Sequence, residues 1–132
     1  MSRLQERIEN FNKAFNIYSQ AVIAYKQDTS EILMHMALVQ SFEICFELGW
    51  KVIKDYLKTK GLEAYTPKDV IKEAFAANII PDGQLWIDMI NDRNASSHEY
   101  NLEKVNIILE RISSVYFEEL VRFKAQAENF DE

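Results

Sequence analysis

The sequence has few of the residues that interrupt or staple a chain. Its 132 residues include three glycines, two prolines and one cysteine. So few glycines and prolines argue against a β fold with many tight turns and suit long helices with short connections. A lone Cys45 rules out an internal disulfide framework and is compatible with a reducing, cytoplasmic setting. One cysteine and two distant histidines make a zinc site improbable, and no metal or cofactor is expected. Gly49, Gly61 and Gly83 are isolated and form no phosphate-cradling loop. No unbroken apolar run approaches the roughly 18 residues of a membrane span, so no membrane association is expected. The N-terminus alternates charged and apolar residues and does not resemble a signal peptide. Basic residues are also in deficit: 15 Lys and Arg face 21 Asp and Glu, a net charge of −6. General attraction to nucleic acid is therefore not expected, and binding RNA would require a local basic cleft.

What is present is periodic. The length fits one domain over residues 1–132 with a real core, and 48% of residues are hydrophobic, enough to fill one. Ser2-Arg3-Leu4-Gln5 reads as a capping box. Behind it Leu4, Ile8, Phe11, Phe15, Tyr18, Val22 and Tyr25 recur at steps of three and four, predicting a helix from about residue 3 to 26. Ser30 is the expected N-cap of a second helix, about 31 to 59. That helix carries two apolar stripes, one running from Ile32 through Phe42, Phe46 and Trp50 to Leu57, the other from Leu38 through Cys45 and Val52 to Tyr56. A helix apolar on two sides must be covered on two sides, as the central helix of a bundle or as both core and interface. Gly61 is placed to end it. Thr66-Pro67 starts a short helix, about 67 to 77, and a turn through Pro81-Asp82-Gly83 leads into a fourth, about 83 to 96. Asn101 caps a fifth, about 102 to 128, with a stripe from Val105 through Tyr116 to Phe123. The expected fold is all-α, an up-and-down four-helix bundle with one additional short helix.

The stretch that departs from this pattern is Asp92 to Tyr100. Trp86, Met89 and Ile90 recur at helical spacing, and Arg93 falls on the same face, a guanidinium where an apolar residue belongs. Burying it is expensive without an anion or acceptor. Glu43, within the first stripe of helix 2, is one candidate partner; alternatively it sits at the stripe's edge in water. His98 lies five residues past Arg93, which on an unbroken helix is roughly 140° around the axis. For the two to face one place the helix must bend or end between them, and Asn94, Ser96 and Ser97 favour such an ending.

The block from Ser41-Phe42-Glu43 through Phe46-Glu47-Leu48-Gly49-Trp50-Lys51 to Tyr56-Leu57 resembles the second-helix signature of the nucleotidyltransferase substrate-binding proteins, helical bundles of the HEPN superfamily. Thr66-Pro67 through Phe75, Asp82 through Trp86, and Arg93-Asn94-x3-His98-x-Tyr100 resemble the same family, in the same order and spacing. The resemblance implies a dimerising bundle encoded with a minimal nucleotidyltransferase, in some pairs as toxin and antitoxin. It implies Arg93, Asn94 and His98 as a metal-independent RNA-cleaving set, with no nucleotidyltransferase activity in this chain itself. It also implies Tyr100 as the residue to which the partner transfers AMP.

The residues suit such chemistry. Histidine titrates near neutrality and serves as base or acid; arginine clamps phosphate through a planar fork. One motif histidine per chain supplies one proton-transfer group, so a homodimer that places two copies across a shared cleft would supply two. The plainer alternative ties Arg93 and His98 to Glu43 or to backbone carbonyls, leaving a purely non-catalytic binding and presentation subunit. His35 reads as structural and Cys45 as a buried thiol. Lys51, Lys54, Lys58 and Lys60 form either a solvated face of helix 2 or a path for RNA or nucleotide.

Overall fold

A computed structural model describes residues 1–96 and 102–131. Six helical segments and no strand occur among them: α1 (Arg3–Gln27), α2 (Ile32–Thr59), α3 (Pro67–Ala76), α4 (Gly83–Ser96), α5 (Leu102–Ser113) and α6 (Val115–Ala127). α1 begins at the capping box, with Ser2 Oγ accepting from the Gln5 amide at 3.1 Å and the Gln5 side chain accepting in return. The N-cap of α2 is Glu31, not Ser30. The reason is local: the Asp28 carboxylate takes both the amide and the hydroxyl of Ser30, at 3.0 and 2.6 Å, so Glu31 supplies the oxygen that caps Leu33.

Two helices end with the same device. Leu62 donates to the Leu57 carbonyl and Gly61 to that of Lys58, with Gly61 at φ 78°. Ile79 donates to Ala74 and Asn78 to Phe75, with Asn78 at φ 60°. Both are Schellman closures, which need a left-handed residue just past the cap, here glycine once and asparagine once.

The fifth predicted helix is interrupted. α5 ends at Ser113 and α6 starts at Val115, although the buried stripe Ile108, Leu109, Ile112, Tyr116, Leu120 and Phe123 continues across the break. Ser113 and Ser114 both donate their hydroxyls to the Glu110 carbonyl, at 3.1 and 2.6 Å. The Ile112 carbonyl accepts instead from the Tyr18 hydroxyl at 2.5 Å. A serine pair and a tyrosine from another helix thus compete for the backbone groups that would continue the spiral.

α1 and α4 run against α2 and α5–α6. Tyr25 meets His35 at one end of the α1–α2 pair, and Arg7 meets Asp55 at the other, Nε to Oδ2 3.1 Å. Phe11 meets Phe123 while Phe15 stacks on Phe117, so α6 descends as α1 rises. This is the expected up-and-down arrangement, with α3 as the short extra helix. α2 is long enough and apolar enough, at a mean hydropathy of 1.3 over its most apolar window, to cross a membrane by length and composition. In the bundle its side chains from Leu38 to Leu57 are the centre of the core, covered by α1, α3, α4 and α5. Gly49 lets α1 approach closely, since a Cβ there would stand 3.2 Å from the Phe11 ring. The first turns of α2 depart from the expected stripe, with Ile32, Leu33 and Met36 exposed. His35 is structural, its ring nitrogen 2.6 Å from the Thr29 carbonyl.

Cys45 and Tyr18 are fully buried, and burial pushes both thiol and phenol well above their ordinary ranges. Raised folded-state values keep both groups neutral in the bundle while in the unfolded chain the thiol ionises from about pH 8.5 and the phenol from about pH 10. These two groups therefore add no pH dependence below that range and lower stability above it, by up to about 1.4 kcal/mol per pH unit each. Urea midpoints should drop as the pH rises from about 8.5 to about 10.5, the span over which a free thiol and then a free phenol ionise. The drop should become shallower in the Tyr18→Phe, Cys45→Ala variant, with the buried Tyr116 phenol retaining part of it. Midpoints that do not move with pH would contradict this.

Candidate functional site

α4 presents two successive side chains near its C-terminal end, Asp92 and Arg93, toward different neighbours. Trp86, Met89 and Ile90 bury the helix against the core. Trp86 is fully enclosed, packs on Phe46 and Phe123, and donates its indole N–H to Glu119 at 2.7 Å. Glu119, itself buried, is held from the other side by two guanidinium nitrogens of Arg122, at 2.7 and 2.8 Å.

Asp92 is buried toward the α5–α6 junction. Arg111 Nη1 donates to both of its oxygens, at 3.2 and 2.9 Å, and the Tyr116 hydroxyl donates to Oδ2. The carboxylate holds the Arg111 guanidinium more firmly protonated than usual. Burial first, and the bond to Asp92 second, push the Tyr116 phenol well up. A buried carboxylate left unpaired would be costly, so this clamp fixes the rotation of α4 about its axis.

With Asp92 turned toward α5–α6, Arg93 turns toward α2. It is half-buried, its Nη2 3.7 Å from Glu47 Oε2 and its Nη1 donating to Asn94 Oδ1 at 3.4 Å. The guanidinium and carboxylate keep 38% and 36% of their surface exposed, so this pair contributes only about 0–1 kcal/mol. Its role is to orient the guanidinium more than to stabilise the fold. Ser96 Oγ lies 2.9 Å from Glu43 Oε1 and 3.0 Å from the Arg93 carbonyl. Glu43 thus serves the same helix end, through Ser96, while among the described residues the carboxylate set against the Arg93 guanidinium is Glu47, one turn further along α2. Arg93 and Asn94 form one wall of a cleft of about 340 Å³, whose opposite wall is Thr66-Pro67-Lys68 at the start of α3. His98 and Tyr100 lie outside the described residues.

A family model described as nucleotidyltransferase substrate binding protein like matches residues 6–129. The chain belongs to this family. Within the curated proteins, a probable ribonuclease HepT from Haemophilus influenzae is 32% identical over 85 residues, covering 61% of this chain and 58% of that protein. The chain therefore matches a little over half the length of this curated relative. Among solved structures, a Haemophilus influenzae protein described as having the fold of a substrate binding domain of a nucleotidyltransferase superposes with a TM-score of 0.78 at 24% identity, over 92% of this chain and 99% of that one. A tri-AMPylated HEPN toxin from Shewanella oneidensis, in complex with its MNT antitoxin, superposes at 0.75 with 14% identity, over 97% and 98%. At these identities the structural likenesses establish the HEPN-type helical fold.

In this substrate-binding-family member, Arg93 and Asn94 share a hydrogen bond near the end of α4, and Glu43 reaches the same helix end only through Ser96. The features that sequence reasoning missed are the supports: Asp92, Arg111 and Tyr116 on one side, Glu47 on the other. Asp92 stands three residues past buried Met89, a register signal of the same kind as the one that singled out Arg93. Tyr116 read as plain core because a stripe does not reveal where a hydroxyl points. No group of three or more His, Cys, Asp or Glu side chains fit to hold a metal occurs among the described residues.

Proposed function

We propose that this protein is the toxin-type, substrate-binding subunit of a pair whose other member is a minimal nucleotidyltransferase. Its own chemistry in this reading is metal-independent cleavage of RNA at Arg93-Asn94-x3-His98. The observation that carries it is Arg93: a guanidinium in an apolar register, set against Glu47 on the wall of an open cleft. Family membership and the resemblance to a probable ribonuclease HepT support the same reading.

Cleavage requires a base for the 2′-hydroxyl, a cation for the charge that builds on phosphorus, and an acid for the departing 5′-oxygen. His98 takes the proton of the 2′-hydroxyl as its oxygen bonds to phosphorus, and the P–O bond to the 5′-oxygen breaks. Arg93 binds the non-bridging oxygens, and Asn94 orients Arg93 through the bond they share. A second copy of the chain supplies the acid that protonates the 5′-oxygen, which is the reason to expect a homodimer with the motif near its two-fold axis. The transferase silences the site by moving AMP from ATP to the Tyr100 oxygen with release of pyrophosphate, placing a phosphate and its bulk beside the cations that RNA needs.

Expression with and without the nucleotidyltransferase tests the pairing and the activity together. Growth arrest is expected from the wild type alone, relief from co-expression, and no arrest from His98→Ala. Incubation with transferase and ATP should add AMP to Tyr100, seen by peptide mass spectrometry. Arrest that persists in His98→Ala, or AMP found only on another residue, would contradict the corresponding part. A second reading, a presentation subunit without catalysis, draws on the net charge of −6 and on the carboxylate already set against Arg93; equal growth with wild type and His98→Ala would favour it.

A further inference from the structure

An acidic chain that handles RNA needs a local basic cleft, and one lies beside Arg93. We propose that the cleft between α2, the start of α3 and the end of α4 seats the nucleotide next to the cut bond, with Lys68 as the contact to its phosphate. This rests on the RNA-cleaving reading above and extends it to a surface that the Arg-His pattern does not include.

The cleft falls within the roughly 300–1,000 Å³ typical of small-molecule sites, at about 340 Å³. Phe46 and Ile90, both buried in the core, back the cleft with apolar side chains. Among the described residues its lining carries two cations, Arg93 and Lys68, against one carboxylate, Glu47, a local excess opposite in sign to the charge of the whole chain. Lys68 is exposed and belongs to the first turn of α3, so its ammonium can swing over the opening, whereas Arg93 is fixed by the α4 clamp. Lys68 can meet one phosphate as a mobile point charge while Arg93 holds another as an oriented fork. Glu47 and Asn94 add an acceptor and an amide, the groups that read a base edge.

The strand has an exit. Lys51 is 3.9 Å from Glu47, and Lys54 and Lys58 follow at steps of three and four on the same helix, lining a second pocket in which they and Arg3 outnumber two carboxylates, Asp55 and Glu63. Lys54 lies over the Tyr65 ring, 5.7 Å from its centre, and that ring is exposed. Cations spaced along one helix face, with an exposed aromatic beside them, match the way single strands are held without reading sequence. The lysine row on α2 is thereby the continuation of the cleft.

The test uses full-length protein and a short 2′-O-methyl RNA, which binds but lacks the attacking hydroxyl. Affinity is measured by fluorescence anisotropy across a salt series. Lys68→Ala should weaken binding about five- to tenfold and reduce the slope of log affinity against log salt by about 0.7, the value for one lost phosphate contact to a single strand. Lys54→Ala, Lys58→Ala should reduce it further. Lys124→Ala, which removes an ammonium already tied to Glu128, should change neither quantity. On a cleavable RNA, Lys68→Ala should raise KM and leave kcat near wild type, whereas His98→Ala lowers kcat. Wild-type binding and cleavage with Lys68→Ala unchanged would overturn the cleft assignment alone. A wild type that binds no RNA would overturn both readings. Binding of free ribonucleoside monophosphate without binding of the oligonucleotide would overturn RNA as the source of that phosphate.

Discussion

Arg93→Ala is expected to slow RNA cleavage by about 10²–10³-fold, the usual cost of removing one donor aimed at charge that develops in the transition state. The loss should appear mainly in kcat, because the substrate's ground state also meets Lys68 while the building charge meets the fork. Arg93→Lys should recover little, since an ammonium cannot make two parallel bonds to one phosphate. Single-turnover cleavage at saturating protein measures this directly. The variant should remain folded: Arg93 is half-exposed and its pair with Glu47 contributes about 0–1 kcal/mol, so urea midpoints should move little. Full activity in Arg93→Ala would remove the guanidinium from the chemistry.

Trp86→Ala is expected to cost about 3–5 kcal/mol of stability, the range for emptying a large aromatic from a packed core. The indole is completely buried, lies between Phe46 and Phe123, and gives its N–H to a buried carboxylate. Removing it opens a cavity where α2, α4 and α6 meet and leaves Glu119 with Arg122 alone. For a chain of this size the melting temperature should fall by about 10–20 °C. Trp86→Phe isolates the polar part. It keeps most of the ring and loses the donor, at a cost of about 1–3 kcal/mol. Because α4 also carries Asp92 and Arg93, activity in Trp86→Ala should fall in step with the fraction unfolded. A melting temperature within a few degrees of wild type would mean that the core repacks around the gap.

The two predictions separate what the sequence discloses from what it hides. Helices α1 to α4 were legible because burial follows a period, and the stripe from Leu4 to Tyr25 names the inward face of α1 almost residue for residue. The same kind of stripe concealed the break between α5 and α6. Ile112 and Tyr116 are buried on either side of it, so the apolar period passes through unbroken, while the cause lies in backbone carbonyls claimed by Ser113, Ser114 and a tyrosine 94 positions away in sequence. Arg93 was visible as a charge in an apolar register. Its neighbour Asp92 holds the helix in place, and it went unnoticed because its partners, Arg111 and Tyr116, are defined only once α5–α6 has packed. Glu47 in place of Glu43 opposite the guanidinium is a difference of one turn. Spacing alone cannot decide it, because the rotation of α4 is set by the clamp on its far side.

The most direct measurement is the course of cleavage of a defined RNA by the purified wild-type protein in excess EDTA, with the chemistry of the new ends determined. Attack by the 2′-hydroxyl assisted by His98 and Arg93 predicts cleavage undiminished by the chelator, with 2′,3′-cyclic phosphate and 5′-hydroxyl ends. Cleavage abolished by EDTA, ends bearing a 5′-phosphate, or the same products at the same rate from His98→Ala would contradict it.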